Sequence, residues 1–217
     1  MTTHIGALAS AFGRLGVRRA ARVDLATLPE HALIERATAG DRLAFSRLIV
    51  LHEAKVRALL LRLTADPTLA DDLAQEVFLR GYRGLVGFRG HASLGTWLYR
   101  IAYNVFLNNR ARTKRFSALP EDYDLRATAP EDALSAPRAD LRRDLESAIA
   151  ALPDRYRAVV VLYYLQEVTY PEIAEILDLP LGTVKTHLHR AKRLLRRWMD
   201  APCDVSAVKC VTPESSP

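Results

Sequence analysis

Residues 170–198 read YPEIAEILDLPLGTVKTHLHRAKRLLRRW. The pattern predicts two helices joined by a tight turn. The first spans about 170–177. Thr169 and Glu172 have the Thr-x-x-Glu spacing of a capping box, and Pro171 falls in the first turn, where a missing N–H costs little. Ile173, Ala174, Ile176 and Leu177 give this helix an apolar face. Asp178, Leu179 and Pro180 form the break. The second helix starts near Leu181 and runs to about Trp198. Val184, Leu188, Ala191, Leu195 and Trp198 recur at helical spacing and are expected to point inward. Lys185, His189, Lys192 and Arg196 line the opposite side, and no acid interrupts it. Short helix, tight turn and basic second helix describe a helix-turn-helix, whose second helix enters the major groove. A basic amphipathic helix can also be an ordinary solvated face. Gly182 and Thr183 favour DNA, because their small side chains leave the N–H groups of the helix start open to a phosphate.

Outward from this stretch, the chain of 217 residues is long enough for two small cores. Hydrophobic residues make up 49%, which excludes a disordered chain. A formal charge of +6 favours a polyanionic partner. The two cysteines, Cys203 and Cys210, both sit in the C-terminal tail, so the core does not depend on disulfides and a reducing cytoplasm is expected. Neither a membrane span nor a secretory signal is visible. No nucleophile motif, phosphate loop or metal-spaced His/Cys set is apparent, so neither an enzyme nor a cofactor is expected.

The pattern predicts an all-α protein of two small helical domains. Residues 1–28 read as a flexible basic arm, with Arg14, Arg18, Arg19 and Arg22. Residues 29–113 form a four-helix domain. A short helix stops at Gly40, and Asp41 caps a second helix over about 42–65. Asp66-Pro67 is a turn before a third helix over about 69–85. Ser93 caps a fourth that reaches about Arg112. Residues 114–138, rich in Ala, Pro and acids, are a flexible linker. Residues 139–200 form the second domain, where Asp154 is expected to cap the helix carrying Tyr156, Val159, Val160 and Tyr163. Residues 201–217 read as a disordered tail.

Two stretches of the first domain carry chemistry. In DDLAQEVFL, residues 71–79, Asp72, Gln75, Glu76 and Leu79 share one helix face. That suits docking against arginines, and equally an ordinary solvated face. Residues 88–112, FRGHASLGTWLYRIAYNVFLNNRAR, place a loop with an aromatic before a helix rich in aromatics, Arg and Asn. Bases stack on rings, amides read base edges and Arg follows phosphates, which is what single-stranded DNA requires. Trp97, Leu98, Ile101 and Val105 are expected in the core. Arg100, Tyr103, Asn104 and Asn108 are not.

The order DDLAQEVFLRGYR, FRGHASLGTWLYRIAYN, acidic linker, then ALPDRYRAVVVLYYLQEVTYPEIAEILDLPLGTVKTHLHRAKRLL resembles the extracytoplasmic-function (group IV) sigma factors of the sigma-70 family. The resemblance covers about residues 30–200. It implies an alternative sigma factor that binds core RNA polymerase, recognises −35 and −10 promoter elements and promotes melting. It implies polymerase docking at Asp72, Gln75 and Glu76. Capture of the −10 strand would fall to Phe88, Arg89, Gly90 and His91 in the loop and to Arg100, Tyr103 and Asn104 on the helix. Recognition of duplex −35 DNA would fall to Gly182, Thr183, Lys185, Thr186, His189, Arg190 and Arg193. An anti-sigma factor is an implied partner. Asp178, Pro180, His187 and His91 depart from the usual pattern and bear on which promoter is read. A stand-alone helix-turn-helix regulator is the alternative, and a helical adaptor binding protein alone is a further one.

The linker fits the two-element reading. Two helical turns of DNA separate sites by about 70 Å. About 25 residues average roughly 25–30 Å as a free coil. Fully extended they span about 80–90 Å. The linker must therefore be held nearly stretched when both elements are bound, which polymerase would do.

Overall fold

The computed structural model describes residue 25, residues 27–116 and residues 137–200. Most of the expected basic arm and linker, and the whole tail with Cys203 and Cys210, lie outside the described residues. Among the described residues there are helices and turns and no strand.

The N-terminal group holds α1 (Glu30–Thr38), α2 (Arg42–Thr64), α3 (Pro67–Gly84) and α4 (Leu94–Phe116), with a 3-10 turn at Leu85–Gly87. Asp41 caps α2 as expected, accepting from the N–H groups of Leu43 and Ala44 at 3.0 and 3.2 Å. The helix ends at Ala65, in the left-handed region at φ 56. The expected turn at Asp66-Pro67 is instead the start of α3. Asp66 caps it by accepting from Thr68 and Leu69, and Pro67 occupies the first turn, where its missing N–H has no partner to lose. Ser93 caps α4, accepting from the Thr96 N–H at 3.0 Å. That helix passes Arg112 and continues to Phe116, so the expected linker is shorter by its first residues.

The C-terminal group holds α5 (Pro137–Ala150), α6 (Asp154–Val160), α7 (Tyr170–Leu177) and α8 (Leu181–Asp200). A π-turn at Val161–Leu165 widens the end of α6. Asp154 is not the cap of α6. Pro153 holds that position without a side-chain bond, and the Asp154 carboxylate instead pairs with Arg110 on α4. The capping box of α7 forms as read. The Glu172 carboxylate accepts from the Thr169 N–H at 3.0 Å and from its hydroxyl at 2.6 Å. Asp178 takes the left-handed conformation, φ 54, that the tight turn demands.

Val184, Leu188 and Ala191 of α8 are buried, and Leu195 is half-buried. Trp198, expected inside, is 47% exposed. The apolar stripe continues, but α8 outlasts the helices it packs on.

Buried side chains of the two groups form one continuous core, from Leu33 and Phe45 through Leu98 and Phe106 to Val159, Ile173 and Val184. Helix α4 packs on α7, and α2 meets α5 and α6. Full burial of a Leu or Ile side chain is worth about 1.5–3 kcal/mol. Leu60, Leu63 and Ile173, all at 2% exposure or less, therefore contribute heavily to that core.

Candidate nucleic-acid interface

The second helix of the helix-turn-helix carries the densest positive charge. Its Pro180 carbonyl accepts from the Thr183 and Val184 N–H groups, so the helix begins without a side-chain cap. Gly182, Lys185, Thr186, His189, Arg190 and Arg193 are exposed, and Thr183 is half-buried. Thr186 donates back to the Gly182 carbonyl at 2.8 Å, which holds its hydroxyl on the helix. Thr186, Arg190, Arg193 and Arg197 follow one another at helical spacing beside the Lys185 and His189 stripe.

A groove between α6 and α8 is lined by Tyr156, Arg190, Arg193, Leu194 and Arg197. Arg155 lies over the Tyr156 ring, 4.9 Å from its centroid. Arg190 and Arg155 beside the phenol hold the Tyr156 pKa below its ordinary value. Arg155, Tyr156 and Arg197 were missed in the sequence. Tyr156 reads as core from its spacing, and only the crossing of α6 on α8 shows that its hydroxyl end meets arginines.

Two neighbours of this surface face elsewhere. His187 packs edge-on against Tyr156 with centroids 5.3 Å apart, so it belongs to the seam and not to the outer face. Its Nδ1 is buried and has no hydrogen-bond partner among the described residues. Lys192 leans over the Tyr164 ring, at 5.5 Å, away from the groove.

In the N-terminal group, Arg89, Gly90 and His91 are exposed in the loop, and Gly90 has φ +70, a conformation that favours glycine. Phe88 is half-buried with its ring 5.3 Å from Trp97. Trp97 in turn lies against Gly84 of α3, where an added Cβ would come within 3.2 Å of the indole. The loop is thus anchored at one end by two rings in tilted contact. Arg100, Asn104 and Asn108 form an exposed stripe on α4, one turn apart. Tyr103, expected beside them, is half-buried, and burial followed by the nearby Asp154 charge raises its pKa.

On α3, Asp72 is exposed while Gln75 and Glu76 are half-buried. Glu76 accepts from Arg80 Nε at 2.7 Å, and Asp71 pairs with Arg57. Of the acids here, Asp72 is the most open to an incoming cation.

Residues 48–116 match the model of Sigma-70 region 2, and residues 142–195 match that of Sigma-70, region 4. The ECF RNA polymerase sigma factor SigW of Bacillus subtilis is 35% identical over 184 residues, which cover 76% of this chain and 94% of SigW. The chain belongs to the ECF sigma factors of the sigma-70 family. The ECF RNA polymerase sigma-E factor of Escherichia coli is 33% identical over 181 residues, 77% of this chain and 93% of that protein. Two solved structures share the fold. CnrH in complex with the cytosolic domain of CnrY aligns with TM-score 0.60 and 24% identity, over 80% of this chain and 98% of that one. RpoE in complex with the anti-sigma factor NepR from Bartonella quintana aligns with TM-score 0.57 and 22% identity, over 73% and 98%.

This ECF sigma factor is an alternative sigma factor acting in transcription initiation, and not a stand-alone regulator, because the N-terminal group is itself a matched region. Among the described residues no helix is long and apolar enough to cross a membrane.

Proposed function

We propose that this sigma factor reads duplex −35 DNA with α8 and captures the single-stranded −10 element with the 88–91 loop and α4. The observation that carries the reading is the exposed basic surface of α8, continuous with the Tyr156 groove, within the segment matching region 4. In this reading Lys185, Thr186, His189 and Arg190 face base edges. Arg193, with Arg155 and Arg197 added from the structure, holds phosphates, which position the helix without specifying sequence. Gly182 and Thr183 bring the start of α8 close to the backbone. Phe88, Arg89, Gly90 and His91 receive an unstacked base, while Arg100 and Asn104 follow the strand. Unstacking costs a few kcal/mol, and stacking against protein aromatics returns about 1–3 kcal/mol per base. Tyr103 can join that surface once the C-terminal group moves away.

Asp72, Gln75 and Glu76 dock on core RNA polymerase, with Arg80 released from Glu76 or shared. Residues 29–113 and 139–200 act as the two working regions, joined by the acidic linker. The protein works in the cytoplasm, needs no cofactor and has no catalytic step of its own, since phosphodiester chemistry belongs to the polymerase. The solved structures of similar fold are complexes with CnrY and with the anti-sigma factor NepR, which supports an anti-sigma partner here.

The test is run-off transcription with core polymerase on a randomised promoter library. Arg190→Ala and Lys185→Ala should change the selected −35 sequence, and Asn104→Ala should lower open-complex formation with −35 choice intact. Unchanged selection in both α8 variants would overturn the assignment.

A further inference from the structure

One large apolar side chain of the N-terminal group stands out into solvent beside the 88–91 loop. Val86 is 76% exposed, and the next most exposed large hydrophobic among the described residues, Tyr164, is at 48%. Val86 sits in the middle of the 3-10 turn Leu85–Gly87, which follows α3 without a break. That turn is held on both sides. Leu85 is buried at 2% exposure, the Phe88 N–H donates to the Leu85 carbonyl at 3.0 Å, and the Phe88 ring rests on Trp97. The space next to Val86 is open, since a Cβ at Gly87 would meet nothing within 4 Å. A β-branched side chain on a fixed turn has few rotamers and cannot fold down out of the way.

The charge around Val86 indicates what covers it. Arg83 and Arg89, three residues to either side, are both exposed. No acid occurs between Glu76 and Glu121, a stretch that also carries Arg80, Arg100 and Arg110. An exposed valine between two arginines on an acid-free stretch suits a nucleic-acid strand, with phosphates on the guanidinium groups and a base face on the valine methyls.

We infer that Val86 is an apolar wedge for −10 melting: it presses on the base beside the one that the 88–91 loop captures, while Arg83 and Arg89 hold the flanking phosphates. The inference rests on the promoter reading above and adds Arg83 and Val86 to it. Turning one base out of the stack leaves its neighbour with a bare face. Apolar side chains placed at such a step keep it unstacked. Phe88 does not fill that place, because its ring is half-buried against Trp97. Arg89, Gly90 and His91 offer no aliphatic surface. At 76% exposure Val86 contributes little to the fold, so its substitution should leave the protein folded. A wedge also differs from a base reader in when it acts. It matters while paired DNA must open, and it is dispensable where the strands are already apart.

The experiment uses the full chain with core polymerase on a promoter selected from the run-off library, with 2-aminopurine placed in turn at each −10 position. The same promoter is also prepared with a mismatched, pre-melted −10 element. Val86→Ser should slow open-complex formation on the paired promoter about tenfold and stay within about twofold of wild type on the pre-melted one. The fluorescence of 2-aminopurine, which rises on unstacking, should drop at one position. Val86→Ile keeps an apolar wedge and should restore the rate. Equal loss on both templates would make Val86 a base reader or a polymerase contact and overturn the wedge. An unchanged rate for Val86→Ser on the paired promoter would overturn it as well. Asn104→Ala separates the wedge from the reading it rests on, because it should weaken binding to both templates. If Asn104→Ala is silent on both, the promoter reading falls; if it acts and Val86→Ser does not, the wedge alone falls.

Discussion

His187 shows how a single side chain is reassigned by its neighbours. Burial, with Arg155 and Arg190 close by, holds its pKa below the ordinary 6.5. A depressed pKa means that the fold disfavours the added proton. The contribution to stability is full above 6.5 and is lost as pH falls through the folded value. Urea melts at about pH 7.5 and about pH 5.5 should show a smaller acid-side loss in His187→Gln than in the wild type. An equal loss would place the acid sensitivity elsewhere. Gly84 offers a steric counterpart. Adding a methyl in a helix gains up to about 1 kcal/mol of propensity. Pressing it to 3.2 Å from the Trp97 indole costs about 1–3 kcal/mol by overpacking. The second effect wins because a ring wedged between α3 and Phe88 has little room to turn. Gly84→Ala should therefore lower the melting temperature and weaken binding of a single-stranded −10 oligonucleotide, with duplex −35 binding unchanged.

At the scale of the element, α7 and α8 differ in what starts them. Helix α7 has a complete capping box, and α8 begins on a bare Pro180 carbonyl. Thr169→Ala should cost about 0.5–2 kcal/mol in a chemical melt. The Glu172 pKa is lowered, first by the Thr169 hydroxyl and then by the Thr169 N–H. Its contribution is therefore present above the ordinary 4.5 and lost as pH falls through the folded value. Thr169→Ala should weaken that acid dependence. At the other end of α8, the exposed Trp198 contributes little to the core, and Trp198→Ala should stay within about 0.5 kcal/mol of wild type. A loss of several kcal/mol would mean that Trp198 is covered in solution.

At the scale of the whole molecule, the proposed function divides the reading of DNA between two halves that share a core. The duplex-reading half should show the electrostatics of phosphate binding. Arg193→Ala and Arg197→Ala should each reduce the slope of log affinity against log salt by about 1 in a holoenzyme–promoter titration, with sequence preference intact. Lys192→Ala should leave that slope nearly unchanged, because Lys192 leans over Tyr164 and away from the groove. A slope lowered by Lys192→Ala and untouched by Arg193→Ala would exchange the two faces.

Local rules were enough for much of this protein. The helix order, the Asp41 and Ser93 caps, the α7 capping box and the basic face of α8 follow from spacing and side-chain chemistry within a few residues. So does the family, whose motifs lie along single helices. Other features could not be read locally. The start of α3 at Pro67 came with Asp66 serving as its cap and not as part of a separate turn. Asp154 left the capping role because Arg110 approached from α4, and Trp198 lost its core because the partner helices are shorter than α8. The groove of Tyr156 with Arg190, Arg193 and Arg197 needs α6 to cross α8, and the bonds of Thr96 to Glu172 and of Tyr99 to Gln166 join residues 76 and 67 positions apart. Periodicity tells which face of a helix is apolar. Which polar groups meet across a seam is decided by the packing angle between helices, and that exists only once the whole chain has folded.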